Sequence, residues 1–527
     1  MGALTGPGRE VPGGPFRPGG SLARLLAWRL SERPEFPFLW VEEEGPWTIG
    51  QVAAQAVRIR QQLEDRAVGP GSLVLVRLGN DERFLPSLMA TWALGATAVT
   101  MHPAAPAAEV ARVVETMAPV AVLAAVADDA LGAIALPVVR VEACPADGGE
   151  GVGTEAFLAP DEDQVPGQAP ALVLLTSGSS GAPKGVVLSH DNAWANLAAT
   201  VSAFRSEAGP TPFSDRQRPP NLIANPLSHS GGVVRLLLGL YVGRGIVMLR
   251  KFDANAALRA VGRHGIDNLT INPTMLRMLL EDLPAGTTLE PVRYVSSGTA
   301  PLPEALRVRF EDRFGVPVLQ SYGQTETFGA VAIENARDVL AGRRRPGSVG
   351  RVLPAIQLRI LGDDGEEVPA GTPGEICVIS PASTQRYLGT DAIPIGEDGW
   401  LHTGDLGRLD ADGYLFIVGR KRDIIICGGF NIVPEELEGA LAVDEAVRAA
   451  AVFGLPDERL GEIPVALVET DDAAEAVLRR VAGVVSSYKR PRKLFVVDHI
   501  PRLPNGKVDK VNGQAMAAAL VTADLGG

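Results

Sequence analysis

Cysteine is scarce in this chain: three residues among 527, Cys144, Cys377 and Cys427, odd in number and widely spaced. Neither a disulfide framework nor a zinc cluster follows from that spacing, and a reducing cytoplasm is the expected setting. Histidine is also sparse, with six residues, none at a metal-ligand spacing from another histidine or a cysteine. A long apolar run is missing too. The stretch from Phe84 to Ala108 carries no Asp, Glu, Lys or Arg, but Pro86, Gly95, His102 and Pro103 interrupt it. It reads as a buried helix, PSLMATWALGA, followed by a strand, TAVTM, and not as a membrane span. Basic charge falls short of acidic, 49 residues against 62, for a formal net charge of −13. That balance argues against non-specific nucleic-acid binding. Residues 1–20 are too broken by Gly and Pro for a signal peptide's apolar core and read as a flexible leader.

What the chain does have is ordinary globular composition, 46% hydrophobic and 21% charged, with length for more than one domain. Short apolar runs alternate with helical patterns. GSLVLVRL, VAVLAAV, ALVLLTSG, NLTIN and VRYVSSG read as strands, and HDNAWANLAATVSAF, PTMLRMLLEDL and PEALRVRFEDRF as helices. Such alternation implies βαβ units and parallel sheet. After about Leu353 the texture changes: IQLRIL, GEICVIS and GYLFIVGR, separated by GDDGEE and DADG, predict antiparallel hairpins in a β-barrel-like subdomain. Beyond GRKRD the remaining strands (DIIIC, IPVALVE, KLFVVD) and helices (PEELEGALAV, AAEAVLRRVAGVV) suggest a small α+β domain. The expected organisation is an α/β fold with a large domain over 21–420 and a small one over 421–527.

Five segments carry chemistry. TSGSSGAPKGVVLSH, Thr176 to His190, gathers glycines, hydroxyls and one lysine. It is not a Walker A loop, because Pro183 precedes Lys184 and Gly185 follows it. Glycine nevertheless lets backbone N–H groups approach an anion, and lysine adds charge, so phosphate is the implied ligand; a strand-to-helix loop is the bland alternative. SYGQTE (Ser321–Glu326) offers a ring, a hydroxyl and a carboxylate, and GWLHTGD ends on Asp405. GRKRDIIICGG places Arg420 before a strand and Gly428-Gly429 after it, and PRLPNGKVDK presents Lys507. Each alone reads as a turn or a solvated charge; together, in this order, they point to a site.

Together these motifs resemble the adenylate-forming superfamily (ANL): acyl-CoA synthetases, adenylation domains of peptide synthetases, and luciferases. Thr176–Gly185 is similar to its phosphate loop, Tyr322–Glu326 to Y-G-x-T-E, Thr403–Asp405 to T-G-D, Arg420 to the G-R motif, and Lys507 to the closing P-x-x-x-x-G-K pattern. The resemblance implies that a carboxylate attacks the α-phosphate of ATP, giving an acyl-adenylate and pyrophosphate, after which a thiol displaces AMP. It implies that Thr176, Ser177, Gly178, Ser179, Ser180, Gly181 and Lys184 take phosphate. Gly298, Thr299, Ala300, Ser321, Tyr322 and Gly323 would border the nucleotide, with Tyr322 stacked on adenine. Thr325 would bond phosphate, Glu326 would hold Mg²⁺, Asp405 and Arg420 would take the ribose, and Lys507 would bridge carboxylate and α-phosphate. In the family the small domain rotates, turning CGGFN with Gly428 and Gly429 toward a pantetheine tunnel. The pivot is Arg422 here, where Asp or Lys is usual.

His229, in NPLSHSGG, resembles the histidine that borders the acyl pocket and shifts between half-reactions, with Ser230, Asn272 and Thr299 as further pocket residues. Amino-acid-activating relatives carry an Asp where this chain reads PLSH, so an organic acid, bulky or oxygenated, is the expected substrate. CoA is the expected acceptor. A carrier protein's pantetheine arm, or a protein that performs only one half-reaction or merely binds an adenylate, are the alternatives. Two near-matches are set aside: GGSLARLL lacks the Asp or His of a carrier-protein site, leaving Ser21 as a helix N-cap, and RRRP at Arg343 reads as a solvated loop.

Overall fold

The computed structural model describes residues 19–125, 131, 136–142, 160, 163–177, 183–203, 218–481, 485–486, 489–503 and 506–526. The chain forms two compact units. One takes in Met1–Asn221, Leu227–Arg250 and Tyr387–Asp391; the other takes in Leu222–Pro226, Lys251–Arg386 and Ala392–Gly527.

The first unit is built on a seven-stranded sheet. Its spatial order is Arg386–Leu388, Pro183–Ser189, Pro170–Ser177, Thr97–Thr100, Leu73–Arg77, Ala121–Ala125 and Val138–Val141. The strands from Val138–Val141 across to Pro170–Ser177 pair in parallel, as the βαβ pattern predicts. The helix Phe84–Ala93 is buried along its whole length and mostly apolar, and its two hydroxyls, Ser87 and Thr91, donate to carbonyls four residues earlier. The glycine segment differs from the strand-to-helix reading. Pro183–Ser189 is itself a strand, antiparallel to Pro170–Ser177, so a hairpin precedes the helix His190–Ser202. Short apolar runs such as GVVLS are ambiguous in sequence until a neighbouring strand pairs with them.

Ser189 and Asn192 form a reciprocal capping box at the start of that helix. The helix bounds put Leu22 at the cap, one residue later than expected, but the Ser21 oxygen still accepts the Ala23 N–H at 3.3 Å, as a capping serine does. The Ser21 hydroxyl also donates to the carbonyl of Trp92 over 2.9 Å. Arg29, fully buried, donates through Nε to the carbonyl of Leu240 and through Nη2 to that of Tyr241. Those carbonyls end the helix Ser230–Val242, where partial negative charge collects. Burial brings the guanidinium pKa down to about 10, against the opposing pull of Glu32.

The second unit opens with the strands Asn268–Ile271, Tyr294–Ser297 and Val318–Gln324 in parallel, extended antiparallel by Gly329–Ile333 and Arg351–Val352. The hairpins expected after Leu353 are present. Gln357–Leu361, Gly374–Ile379, Leu401–Leu409 and Leu415–Arg420 form an antiparallel sheet, and its Ile360, Ile376, Val378, Leu401 and Leu415 pack with Tyr322 and Val331. From Ile425 onward the strands make a further sheet, Phe430–Ile432, Ile425–Cys427, Gly461–Thr470 and Val447–Asp457, with Lys493–Val496 parallel to Gly461–Thr470. Two core clusters draw only on this last stretch. The RRRP segment is ion-paired and not simply solvated: Arg343 meets Asp338, Arg344 meets Glu311 and Glu334, and Arg345 meets Asp412.

Candidate active site

Strand geometry places the aromatic and the carboxylate of two distant motifs together. The Val318–Gln324 strand runs on through Ser321, Tyr322 and Gly323, and Leu401–Leu409 runs through Asp405, so both residues sit mid-strand where turns were expected. The Tyr322 hydroxyl donates to Asp405 Oδ2 over 2.8 Å. Asp405 lies opposite Arg420 in the strand register, and Arg420 Nε reaches Asp405 Oδ1 at 3.0 Å. Both carboxylate oxygens are therefore held. Tyr322 and Asp405 are 8% and 6% exposed, which leaves only a narrow part of the ring for a ligand. Burial pushes the Asp405 carboxyl above its ordinary range, with Arg420 opposing. Burial, then the Asp405 charge, raise the Tyr322 phenol well above its usual value. Tyr322 is thus a donor and not a phenolate.

Lys507 joins this group. Its loop is tied at Gly506, whose carbonyl accepts from Thr274 Oγ1 at 3.0 Å, while Leu503 N–H donates to the Lys507 carbonyl at 2.8 Å. The ammonium is half-buried. Burial and then the charge of Arg420 lower its pKa, while Asp405 and Glu326 pull it back. The predicted ribose and metal residues thus lie within electrostatic reach of this lysine. Thr325 and Glu326 occupy a single 3₁₀ turn, Thr325–Thr327, and the Glu326 carbonyl accepts the Thr384 N–H at 2.8 Å.

Gly298, Thr299 and Ala300 follow the strand Tyr294–Ser297. Thr299 is exposed and adopts φ +69°, a left-handed conformation that a β-branched side chain rarely tolerates. Ser321 Oγ donates to the Ser297 carbonyl at 3.4 Å. Asn272 has a role the sequence reading missed: its side-chain oxygen accepts the Met275 N–H at 2.9 Å and caps the helix Pro273–Asp282. Arg422 is exposed in the 3₁₀ turn Lys421–Asp423, with Asp423 Oδ1 at 3.5 Å from its Nε. Gly428 and Gly429, at φ +59° and +85°, are the two-residue turn between Ile425–Cys427 and Phe430–Ile432, a turn that requires positive φ at both positions.

The remaining predicted residues belong to the first unit. Thr176 and Lys184 face each other across the Pro170–Ser177/Pro183–Ser189 hairpin, and the Thr176 hydroxyl donates to the Lys184 carbonyl at 3.3 Å. Gly178, Ser179, Ser180 and Gly181 lie outside the described residues, as does the side chain of Ser177. His229, half-buried, precedes the helix Ser230–Val242 and accepts backbone N–H groups from Gly232 and Val233 at its carbonyl. Ser228 is 4% exposed, and its Oγ has no hydrogen-bond partner among the described residues. Sequence reading also missed Tyr387, whose ring centroid lies 3.4 Å from Lys184 Nζ. No local sequence signal marks it. No group of three or more His, Cys, Asp or Glu side chains able to hold a metal occurs among the described residues.

The AMP-binding enzyme family model matches residues 26–388, and that of the AMP-binding enzyme C-terminal domain matches residues 436–507. The chain belongs to the AMP-binding enzyme family. A sulfoacetate–CoA ligase of Cupriavidus necator is 34% identical over 507 residues, covering 93% of this chain and 97% of that protein. Among solved structures, ATP-bound MatB from Rhodopseudomonas palustris aligns with a TM-score of 0.82 at 27% identity, over 94% of this chain and 98% of that one. The o-succinylbenzoate CoA synthetase MenE of Bacillus subtilis aligns with its acyl-adenylate intermediate bound, at a TM-score of 0.78 and 26% identity, over 93% of this chain and 97% of that one. The same enzyme has been solved with ATP and magnesium ion. Members of this family share the α/β architecture found here.

Proposed function

We propose that the chain is an AMP-forming acyl-CoA synthetase: it joins an organic carboxylic acid to AMP at the expense of ATP, then transfers the acyl group to the thiol of CoA. The observation that carries this reading is the constellation of Tyr322, Asp405 and Arg420 with Lys507 in electrostatic reach. Asp405 takes the ribose hydroxyls, Tyr322 and Arg420 hold it in place, and Tyr322 offers its exposed ring edge to adenine. Gly298, Thr299, Ala300, Ser321 and Gly323 border the nucleotide. Thr176, Lys184 and Thr325 take phosphate oxygens, with Ser177, Gly178, Ser179, Ser180 and Gly181 supplying further donors. Lys507 neutralises charge as the carboxylate oxygen bonds to the α-phosphorus and pyrophosphate leaves. Its lowered proton affinity reflects partial burial, which also reduces the screening of its field on an incoming anion.

Mg²⁺ would be held by Glu326. A single protein carboxylate suits that ion, which takes most of its ligands from phosphate and water and supplies charge neutralisation. For the second half-reaction the reading keeps a small domain from about residue 421, turning about Arg422 and bringing the Gly428-Gly429 turn toward the pantetheine arm.

The acid is one without an α-ammonium group, since PLSH offers no carboxylate to pair with one. His229, Ser230 and Thr299 are the residues proposed to recognise it. The buried, unpartnered Ser228 hydroxyl beside His229 favours an oxygenated acid, because an acceptor on the substrate would satisfy it. The enzyme works in a reducing cytoplasm, which fits the two buried free thiols, Cys377 and Cys427. No helix among the described residues is long and apolar enough to cross a membrane. The deciding experiment offers a panel of carboxylic acids with ATP, Mg²⁺ and either CoA or a carrier protein, read by mass spectrometry. Acyl-CoA and AMP are expected. Acylated carrier protein alone would overturn CoA as acceptor, and no ATP-dependent product from any acid would overturn the activity.

A further inference from the structure

Lys184 is one residue of a strand whose side chains alternate between two faces. The next residue, Gly185, faces the core: a Cβ added there would lie 2.6 Å from Val173, 3.0 Å from Met117 and 3.4 Å from Leu388. Glycine at this position leaves room for the Val173 and Met117 side chains, and Leu388 of the edge strand lies at ordinary contact distance on the same face. Leu388 packs into the same apolar cluster as Val173 and Met117. With Gly185 and Leu388 on the core face, period-two alternation puts Lys184 and Tyr387 together on the other. The contact is close: Lys184 Nζ lies 3.4 Å from the Tyr387 ring centroid. A slip of one residue in either strand would turn one partner into the core and separate them.

We infer that Tyr387 is a positioning residue for ATP, holding the Lys184 ammonium against its ring so that the cation is placed before the polyphosphate arrives. This inference rests on the proposed function only in taking Lys184 as a phosphate ligand. A ring face attracts an ammonium by a factor of about 3 to 30 in an equilibrium. That strength fits the task. It is enough to remove much of the rotamer freedom of a lysine, a cost that would otherwise fall on nucleotide binding. It is also too weak to compete with several phosphate charges. The second tether, from the Thr176 hydroxyl to the Lys184 carbonyl, fixes the backbone while the ring fixes the far end.

The test is calorimetric binding of ATP with Mg²⁺, without acid or CoA, to the full chain and to its variants. Tyr387→Leu is expected to weaken binding about 3- to 10-fold. Tyr387→Phe, which keeps the ring, should bind within about twofold of the unaltered chain. In a Lys184→Ala background, Tyr387→Leu should have no further effect. In turnover, the KM for ATP should rise while the KM for CoA stays unchanged. Unchanged ATP affinity in Tyr387→Leu would overturn the inference, and so would equal losses with Phe and Leu, or the same loss persisting without Lys184. Should Tyr387→Leu fold poorly, Tyr387→Met supplies an unbranched apolar replacement for the same comparison. An unaltered chain that binds ATP but makes no thioester would sink the proposed function and leave this result readable; one that binds no ATP would sink both.

Discussion

Tyr322 and Asp405 share a 2.8 Å hydrogen bond across 83 positions of sequence, with both side chains almost fully buried. The carboxylate would otherwise rotate freely on its strand. With the phenol on one oxygen and Arg420 on the other, its orientation is fixed before any ligand binds. A hydrogen bond to a charged group is worth about 1.5–3 kcal/mol. Tyr322→Phe keeps the ring and removes the donor, so kcat/KM for ATP in pyrophosphate exchange should fall by roughly 10- to 100-fold. An unchanged kcat/KM would mean that Arg420 alone positions Asp405.

Under the proposed function Lys507 serves the adenylation step and not the thioester step. Removing one preorganised charge from a developing phosphoryl centre costs about 10²- to 10³-fold. Lys507→Ala should therefore lose that much adenylation, measured by acid-dependent pyrophosphate exchange. Thioester formation from supplied acyl-adenylate and CoA should stay within about threefold of the unaltered enzyme. Equal loss of both steps would contradict the assignment of Lys507 to the first step.

Thr299 holds a strained backbone at an exposed position, so nothing in its packing requires the side chain. Asparagine tolerates the left-handed region far better at similar size. Thr299→Asn should raise unfolding stability by about 1 kcal/mol, read by denaturant titration. The proposed function places Thr299 at the acid, so the same variant should shift the acid preference in a competition assay. A variant with lower stability and unchanged preference would refute both halves.

Glu435 gives a pH dependence with a definite sign. Its Oε2 is buried without a hydrogen-bond partner among the described residues, close to Gly419. Burial, then the charge of Glu438, push its pKa from 4.5 up to about 7; Lys510 opposes and Asp423 adds to the rise. Between those values the native state keeps a proton that the unfolded chain has released. Its contribution to stability is full below pH 4.5 and is lost as pH rises to about 7. Glu435→Gln should raise the melting temperature at pH 8 and change it little at pH 4.5. The reverse order would show that the carboxylate is stabilised when charged.

Much of this protein was legible locally. Alternating strands and helices, the hairpins after Leu353 and the five motifs depend on residues a few positions apart, and that is the range over which periodicity and turn chemistry act. Tyr322 and Asp405 were expected on turns, because SYGQ and HTGD look like loops until neighbouring strands pair with them. The strand Pro183–Ser189 escaped notice for the same reason. Asn272 was read for its polarity alone, although its place before Pro273 is a helix-start signal that reveals the cap.

Motif order was enough to place the chain in its family, since charge and backbone freedom belong to residue types at fixed local spacings. Only the tertiary structure decided which groups meet: Tyr322 with Asp405, Arg29 with the end of the His229 helix, and Lys184 with the ring of Tyr387. Those meetings depend on strand register and on burial contributed by residues hundreds of positions away. For the two strand pairs, a one-residue change in register, which leaves composition untouched, would send Tyr322, Asp405, Lys184 or Tyr387 to the opposite face.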